Sequence, residues 1–225
     1  MVAVALKDIS LRYSRQWPLL RISAEFPEGK STLITGDNGA GKTTLLRVVA
    51  TALRPTRGQV EIFGQDALKA RESVRAQLGM ISHNSHLYYD LSALENLKLV
   101  SEFSGVGGGV SDPVAALERV GLQDAAHQVV RSFSAGMKRR VMIARLLMRD
   151  PRLVILDEPF GQLDPGGVEL MKEVFGELQE RGCTILLATH QHALGRSLCD
   201  VEMSLKGGEL AQAPRPIVAP VEMAG

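Results

Sequence analysis

The amino-acid sequence predicts an α/β fold with a mostly parallel sheet, on three observations. Residues 31–35, Ser-Thr-Leu-Ile-Thr, read as a buried strand that runs directly into a glycine-rich segment. Leu153 to Leu156 form a continuous apolar run, and such runs are typical of central parallel strands covered on both faces. Strand and helix patterns alternate again after Met148, up to about Leu205.

The glycine-rich segment, residues 36–44, reads Gly-Asp-Asn-Gly-Ala-Gly-Lys-Thr-Thr and fits the pattern G-x-x-x-x-G-K-[ST]. Its glycines let successive backbone N–H groups surround nucleotide phosphates at the N-terminus of a helix, which we predict over 42–53. We expect Lys42 to reach the β- and γ-phosphates of ATP and the Thr43 hydroxyl to bind Mg²⁺. An ordinary glycine-rich turn before a helix is the alternative. The other residues expected to bind ATP are Gly36, Asn38, Gly39, Ala40, Gly41 and Thr44.

Two carboxylates follow the apolar run 153–156. Asp157 stands at the carboxyl end of the predicted strand, where α/β sheets collect ligands, and we expect it to bind Mg²⁺. Glu158 is the expected base that orients and deprotonates the attacking water, a role that contributes about 10²–10⁴ in rate. A capped turn leading into a helix would give the same Asp-Glu-Pro sequence. The glycine-rich segment upstream favours the catalytic interpretation.

A third segment lies between these two. Residues 133–137 read Phe-Ser-Ala-Gly-Met, and a basic stretch, Lys138-Arg139-Arg140, follows. With the two segments above, it resembles the signature Leu-Ser-Gly-Gly-Gln of the nucleotide-binding subunits of ATP-binding cassette (ABC) transporters, and the resemblance covers nearly the whole chain. It implies a P-loop NTPase core with a mostly parallel sheet, an antiparallel β-layer and a helical insertion lobe. It also implies a homodimer in which Ser134 and Gly136 contact the ATP bound to the opposite subunit.

The chemistry of this third segment is compatible with that use. Ser134 is a good N-cap, and the small residues Ala135 and Gly136 allow a ligand to approach the free N–H groups of a helix. Cations in a first helical turn oppose the helix dipole, so we expect an anion or a carboxylate beside them. A plain core helix over 141–148 is the alternative.

Three further residues match the same family. Tyr13 stands where the family places an aromatic that stacks on adenine, although a tyrosine at a strand end also serves packing. Asp164 resembles the residue of a loop that crosses the subunit interface, and it is equally a candidate N-cap for a helix near Pro165. His190 follows the apolar strand 184–188 and resembles the switch histidine that contacts the γ-phosphate; a hydrogen-bonded structural histidine is the alternative.

Two positions depart from the family pattern. Asn84 stands where a glutamine normally contacts Mg²⁺ or the lytic water, and its side chain is one methylene shorter. Met137 replaces the glutamine that ends the signature. Neither change removes a charged catalytic group, so we expect slower or more partner-dependent turnover. A haem or metal site at His83 and His86 is the less favoured interpretation of that histidine pair.

Composition narrows the class of protein. The chain has 225 residues, a net charge of +1 and few aromatic residues, which gives no electrostatic footprint for nucleic acid. Apolar runs stay below the roughly 18 residues of a membrane span, and residues 1–8 alternate like a strand and lack the layout of a signal peptide. Cys183 and Cys199 are too few for a disulfide framework and are typical of a reducing cytosol.

The resemblance implies one ABC ATPase domain over 1–210, with a helical lobe at about 85–150, and the prolines indicate a tail or extended strap over 211–225. A glycine-rich break at 105–109 reads as a surface loop. Leu94 and Leu97 are expected in the core of the lobe, whereas for Tyr88 and Tyr89 core and partner interface stay equally open. Strands are predicted at 2–13, 19–26, 31–35, 60–63 and 78–82.

The resemblance implies an ATP-hydrolysing subunit on the cytoplasmic face of the inner membrane, bound to an integral membrane transporter subunit. Residues 91–97, the signature 134–136 and residues 188–191 are most similar to the ATP-binding subunit of bacterial haem exporters of cytochrome c maturation. Residues 133–138 are also similar to multidrug or ion exporters. A soluble ABC ATPase, such as an iron–sulfur assembly factor, and a nucleotide sensor that does not hydrolyse ATP are the alternatives from other classes.

Overall fold

The computed structural model describes residues 1–82, 86–103 and 112–217. It divides into two compact units, one formed by Met1–Lys69 with Thr184–Gly225 and the other by Ala70–Cys183. Our expectation for residue 84 therefore lies outside the described residues, as do those for residues 83, 85, 105–109 and 218–225.

Strands and helices alternate along most of the chain. The strands are β1 (Val2–Tyr13), β2 (Gln16–Pro27), β3 (Ser31–Thr35), β4 (Arg57–Ile62), β5 (Gln65–Asp66), β6 (Leu78–Ile81), β7 (Leu153–Asp157), β8 (Thr184–Ala188), β9 (Val201–Lys206) and β10 (Glu209–Pro216). The helices are α1 (Lys42–Val49), α2 (Arg71–Ala76), α3 (Ala93–Phe103), α4 (Pro113–Arg119), α5 (Ala135–Leu147), α6 (Pro165–Glu180) and α7 (His192–Leu198), with 3₁₀ turns at Gln123–Ala125 and Val130–Ser132.

The first unit contains the predicted antiparallel layer, in the strand order β2-β1-β4-β5. The pairing of β1 with β2 shifts register between Leu6 and Ile9, where Asp8 has a φ of +51°. At this bulge the Asp8 N–H donates to a side chain of the neighbouring strand β2, the Ser23 hydroxyl, at 3.0 Å. A side-chain hydroxyl therefore replaces the ladder partner that the bulge removes.

The parallel strands of the same unit position its glycine-rich loop. β3 lies between β8 and β9, parallel to both, and each residue of β3 and β8 is buried. Helix α7 packs against β3 at Gly195, where a Cβ would lie 2.6 Å from Leu33 Cδ1. Strands β8 and β9, which pair with β3 on its two sides, thus fix the point at Thr35 where the chain leaves the sheet.

The largest differences from the sequence prediction are at the end of α1 and at β10, whereas the strand bounds differ by at most three residues. Helix α1 ends at Val49, not at 53, because Thr51 has a φ of +56° and Arg54-Pro55 cannot continue a helix. Residues 211–216, expected in a tail, form most of β10, which pairs with β9 at the edge of the sheet. An edge strand tolerates Pro214 and Pro216 because its outer N–H groups have no ladder partner to lose.

The second unit carries the other parallel pair and most of the helices. β6 and β7 run parallel in a register that places Ile81 opposite Leu156. Helix α3 begins with a capping box, since the Ser92 N–H and Oγ donate to Glu95 and the Glu95 N–H donates to Ser92 Oγ. As predicted, Leu94 and Leu97 are buried. Among the described residues, no helix has the length and apolar character needed to cross a membrane.

A carboxylate fastens the beginning of β3 to the beginning of β9. Asp200 accepts hydrogen bonds from the Ser31 N–H at 2.9 Å and the Ser31 hydroxyl at 2.7 Å, and Lys30 lies 3.4 Å from it. Burial raises the pKa of Asp200, but the hydrogen bonds from Ser31 and the charge of Lys30 outweigh burial and leave the pKa below its ordinary value.

We predict that Asp200→Asn lowers the free energy of unfolding by about 1–2 kcal/mol at pH 7, because two bonds to a charged acceptor are weakened. The folded-state pKa lies below the unfolded value of about 3.9, so this stabilisation is complete above that value and is lost as the pH falls through the folded pKa. Urea titrations at decreasing pH should show the difference between the two proteins shrinking below the unfolded pKa. Glu209→Gln, an exposed carboxylate on β10, is the control. A difference independent of pH would contradict the role of the Asp200 charge.

Candidate functional site

Residues 36–41 form a tight loop between β3 and α1. Gly36 and Gly41 have φ values of +136° and +105°, a region that L-residues avoid. A Cβ on Gly36 would lie 2.2 Å from the Leu205 carbonyl oxygen, and one on Gly41 would lie 2.5 Å from the Pro18 carbonyl oxygen. Backbone therefore packs on backbone on both sides of the loop, which explains two of its glycines without reference to a ligand.

The loop is closed internally by its own lysine. Lys42 Nζ donates to the Gly36 carbonyl at 2.6 Å and to the Asp37 carbonyl at 3.0 Å, so the ammonium lies over the loop. The Ala40 N–H donates to the Asp37 carbonyl, and the Ala40 carbonyl accepts from the Gly208 N–H at 3.2 Å. Helix α1 begins at Lys42 with no acidic residue in its first turn, which leaves the positive end of its dipole uncompensated.

The other predicted residues of the first unit lie at its surface. Asn38 and Gly39 are exposed at the tip of the loop, and Thr43 and Thr44 are half-buried in the first turn of α1. Tyr13 ends β1 and is 49% exposed, which leaves its ring available for stacking. His190 is exposed and directly precedes the turn into α7.

In the second unit, Asp157 ends the buried strand β7 and Glu158 directly follows it. Asp157 is 3% exposed, and Glu158 is half-buried. Glu158 has a φ of +52°, a left-handed conformation that costs a non-glycine residue about 1–3 kcal/mol. The strained backbone directs this side chain away from the strand geometry that Asp157 still follows.

The signature segment and the loop containing Asp164 lie against each other. Ser134 caps α5, accepting from the Met137 N–H at 3.1 Å, and Asp164 caps α6, accepting from the Gly167 N–H at 3.1 Å. A Cβ on Gly136 would lie 3.2 Å from the Gln162 carbonyl oxygen, so glycine permits this close approach. Both capping predictions are confirmed.

The three cations that open α5 point to three different partners. Lys138 Nζ lies 5.0 Å from the centroid of the Tyr89 ring, and Arg140 Nη2 donates to Asp164 Oδ1 at 3.0 Å. The hydrogen bond from Arg140 holds the pKa of Asp164 below its usual value. Arg139 is buried and donates to the Ser82 carbonyl at 2.9 Å.

Carboxylate neighbours thus explain part of the basic stretch, as the dipole argument predicts. What the sequence did not indicate is that Arg139 is buried and bonded to the Ser82 carbonyl. Burial lowers the pKa of Arg139, while the charges of Asp157 and Glu158 act in the opposite direction. A cation between two polar neighbours in sequence looks like a surface residue, so no signal in the chain marks it.

The fold and these two sets of residues define the chain as an ATP-binding cassette protein. The family model described as ABC transporter matches residues 19–161, and the chain belongs to that family. The predicted α/β fold is confirmed. The chain is an ATP-hydrolysing domain of the ABC type.

Individual relatives and a solved structure are also described as ATP-binding proteins of transport or as ATP-binding cassettes. The bacitracin transport ATP-binding protein BcrA of Bacillus licheniformis is 37% identical over 185 residues, which cover 81% of this chain and 60% of BcrA. The lantibiotic transport ATP-binding protein SrtF of Streptococcus pyogenes is 32% identical over 82% of this chain and 79% of its own length. The dimeric ATP-binding cassette MJ0796, in a post-hydrolysis state bound to ADP and Pi, superposes with a TM-score of 0.86 at 25% identity over 96% of this chain and 99% of its own.

Alanine substitutions at Gly36 and Gly39 separate two reasons for glycine in this loop, the positive φ and the close packing of backbone on backbone. Both have a positive φ, but a Cβ on Gly39 would meet nothing within 4 Å. We predict that Gly39→Ala lowers the free energy of unfolding by about 1 kcal/mol, from φ strain alone, and Gly36→Ala by about 3 kcal/mol or more. Chemical denaturation of the two variants measures this directly. Equal losses would show that the Leu205 carbonyl does not constrain Gly36.

Proposed function

We propose that this chain is the ATPase subunit of an exporter that moves a peptide antibiotic, or a drug of similar amphipathic character, through a separate membrane subunit. The observation that carries the proposal is its similarity, across more than four fifths of its length, to the ATP-binding proteins of bacitracin and lantibiotic transport. The net charge of +1 gives no support for a nucleic-acid partner.

In the first unit, the proposed role of the loop 36–41 is to bind the phosphates of ATP. Its N–H groups and the start of α1 attract anions, and the Lys42 ammonium, now on the Gly36 and Asp37 carbonyls, would exchange these acceptors for phosphate oxygens. Tyr13 is proposed to stack on adenine, and His190 to contact the γ-phosphate. Gly36, Asn38, Gly39, Ala40, Gly41, Thr43 and Thr44 keep the phosphate-binding roles expected of them.

Magnesium is the proposed cofactor. The Thr43 hydroxyl and the Asp157 carboxylate are hard oxygen donors of the kind that Mg²⁺ prefers, and both are partly or fully withdrawn from solvent. The Asn84 amide is proposed to complete the set directly or through water. When bound with ATP, the ion neutralises charge that develops on the phosphate oxygens.

Glu158 is the proposed base. Its carboxylate follows the strand that ends in Asp157, and its strained φ fixes where the side chain starts. On our proposal it accepts a proton from the attacking water, whose oxygen bonds to the γ-phosphorus as the β–γ bridging bond breaks. ADP, which keeps the bridging oxygen, and inorganic phosphate then leave the site.

The second unit also supplies the groups proposed to act on a partner copy. Ser134, Gly136 and Asp164 lie side by side through the caps of α5 and α6 and the contact of Gly136 with Gln162. In a head-to-tail homodimer they would close over the ATP of the opposite subunit. Moving such a clamp from mostly open to mostly closed requires about 5.5 kcal/mol of differential binding.

The membrane partner is proposed to contact the helical lobe at Tyr88 and Tyr89. These rings are 62% and 45% exposed, yet their backbone is held firmly, because the buried Asn96 side chain bonds both the N–H and the carbonyl of Tyr88. Rigidly presented aromatic residues are typical interface anchors. This location would place the subunit at the cytoplasmic face of the inner membrane.

Haem export is the second candidate, favoured by the similarity of residues 91–97, 134–136 and 188–191 to haem exporters of cytochrome c maturation. The relatives described above transport bacitracin and lantibiotics by their names, which favours the peptide. An ion exporter would differ from the peptide and haem exporters in its cargo, and an iron–sulfur assembly ATPase would differ from them in its partner.

We predict that Glu158→Gln lowers the ATPase rate by about 10²-fold or more, because the base is lost while the side-chain shape is kept. ATP binding should persist, and the variant should form a stable dimer with ATP. Steady-state phosphate release and sedimentation velocity measure the two properties. Glu180→Gln, an exposed glutamate at the end of α6, is the control. Normal hydrolysis by Glu158→Gln would exclude Glu158 as the base.

We also predict that the chain purifies from gently solubilised native membranes with a multispanning protein. In the reconstituted complex, bacitracin or a lantibiotic should raise ATPase activity. In vesicles whose ATPase subunit faces outward, export should carry the peptide to the inside when ATP is added. Stimulation by haemin alone would favour haem export. Recovery of soluble partners only would leave the ATPase chemistry intact and overturn the transport proposal.

A further inference from the structure

The hairpin that joins β1 to β2 carries Tyr13, the residue proposed to stack on adenine, at its tip. Tyr13 pairs with Gln16 across the hairpin, and the turn between them consists of Ser14 and Arg15. Ser14 has a φ of +51°, in the left-handed region that two-residue hairpin turns usually fill with glycine, asparagine or aspartate. The turn sequence alone therefore favours this hairpin only weakly, and contacts from other residues hold its tip.

Arg12 supplies two of these contacts. Its Nε donates to the Ser14 carbonyl at 2.7 Å, so that the bond spans Tyr13, and its guanidinium carbon lies 5.6 Å from the centroid of the Trp17 ring. The first contact restrains the backbone on both sides of Tyr13, and the second joins β1 to β2 across the hairpin. The Arg12 N–H also donates to Thr56 Oγ1 at 3.0 Å, which holds the backbone from which the arginine side chain starts.

The Trp17 end of this arrangement lies against the glycine-rich loop. The Pro18 carbonyl oxygen, one residue further along β2, stands 2.5 Å from the position of a Cβ on Gly41. The Trp17 carbonyl oxygen lies 2.8 Å from the position of a Cβ on Gly208, whose N–H bonds the same loop. Backbone contacts therefore hold Trp17 against the loop, and the Trp17 ring in turn holds the Arg12 guanidinium.

We propose that Arg12 is a positioning residue for nucleotide binding. Stacked on Trp17 and bonded across the turn, it holds the backbone of Tyr13 at the distance from the glycine-rich loop that adenine stacking requires. The inference rests on the proposed stacking of adenine on Tyr13. Base and phosphates are the two ends of one ligand, so stacking adds to affinity only when the ring is fixed relative to the loop. A ring that is already in place also loses less conformational freedom on binding.

Calorimetric titration of the full chain with ADP or with pyrophosphate, each with Mg²⁺, tests the inference. ADP has no γ-phosphate to lose, so its binding is measured at equilibrium, and pyrophosphate has no base to stack. The variants are Arg12→Gln, Arg12→Lys, Tyr13→Ala and the double variant Arg12→Gln/Tyr13→Ala. Arg15→Gln is the matched control, because Arg15 is an exposed arginine of the same hairpin. Unfolding transitions are recorded first, so that affinities are compared on folded protein.

Fluorescence gives a second measurement at the hairpin itself, because Trp17 is the single tryptophan of the chain. Removing the stacked guanidinium in Arg12→Gln should raise the rate constant with which acrylamide quenches this fluorescence. Arg15→Gln should leave that rate constant near the wild-type value. An unchanged rate constant in Arg12→Gln would mean that the guanidinium does not cover the ring in solution, which would overturn the inference.

Arg12→Gln should weaken ADP binding by about 3- to 10-fold, from the loss of one cation–π contact and one hydrogen bond. It should leave pyrophosphate binding nearly unchanged, because only the ligand with a base uses Tyr13. Arg12→Lys should recover part of the loss, since an ammonium restores the charge over Trp17 without the planar fork. In the Tyr13→Ala background, Arg12→Gln should add little further loss, since it acts through Tyr13.

Three results of the titrations would overturn the inference. Equal losses with ADP and pyrophosphate, or equal losses for Arg12→Gln and Arg15→Gln, would mean that Arg12 acts on the phosphates through its charge. Multiplicative losses with Tyr13→Ala would mean that Arg12 acts independently of the ring. Normal ADP binding in Arg12→Gln, with binding weakened in Tyr13→Ala, would remove Arg12 and leave the proposed stacking in place. Normal ADP binding in Tyr13→Ala, in contrast, would refute the proposed stacking itself and, with it, the inference.

Discussion

The approach of backbone to backbone around residues 36–41 is the constraint on which the first unit depends. The Leu205 and Pro18 carbonyl oxygens stand where a side chain on Gly36 or Gly41 would begin. Leu205 belongs to β9 and Pro18 to β2, so both sheets of the unit meet the same short loop. The Gly208 N–H, from the turn before β10, adds a bond to the Ala40 carbonyl. The loop is thereby shaped before any nucleotide arrives, and little conformational entropy remains to be lost on binding.

In the second unit, helix α5 is the element on which most of the contacts around the candidate site depend. Its N-terminus is capped by Ser134 and touches the Gln162 carbonyl at Gly136, and its first turns send cations to Tyr89, Ser82 and Asp164. These contacts reach three separate segments of the unit. A displacement of α5 therefore changes all of them together, because a helix moves as a rigid element while its side-chain contacts have short range. The presence of Met137 in place of the family's glutamine leaves this arrangement intact, because Met137 contributes only its backbone N–H to the Ser134 cap.

Local sequence signals predicted those parts of the fold that local forces determine. The glycine pattern before Lys42, the apolar strand before Asp157 and the capping residues Ser134 and Asp164 all depend on neighbours within a few positions. The edge strand β10 was missed because its prolines and mixed polarity carry no strand signal, and only pairing with β9 orders it. Arg139 was missed for the same physical reason: its burial depends on Ser82, which is far away in the chain. For Tyr13, His190 and Asn84 the functional roles remain predictions.

A strained backbone at Glu158 and a buried cation at Arg139 are two costly features of the second unit. Glu158 adopts a left-handed φ at a cost of about 1–3 kcal/mol, and Arg139 gives up hydration at the same edge of β7. Each is unfavourable for folding when considered alone, and their charges attract. Together they form a local arrangement that stability would not select, since an apolar residue and a relaxed turn would suffice for packing. On the proposed role of Glu158 as base, hydrolysis would explain the strain at Glu158, because a base must be held where the water attacks and not where the backbone would relax.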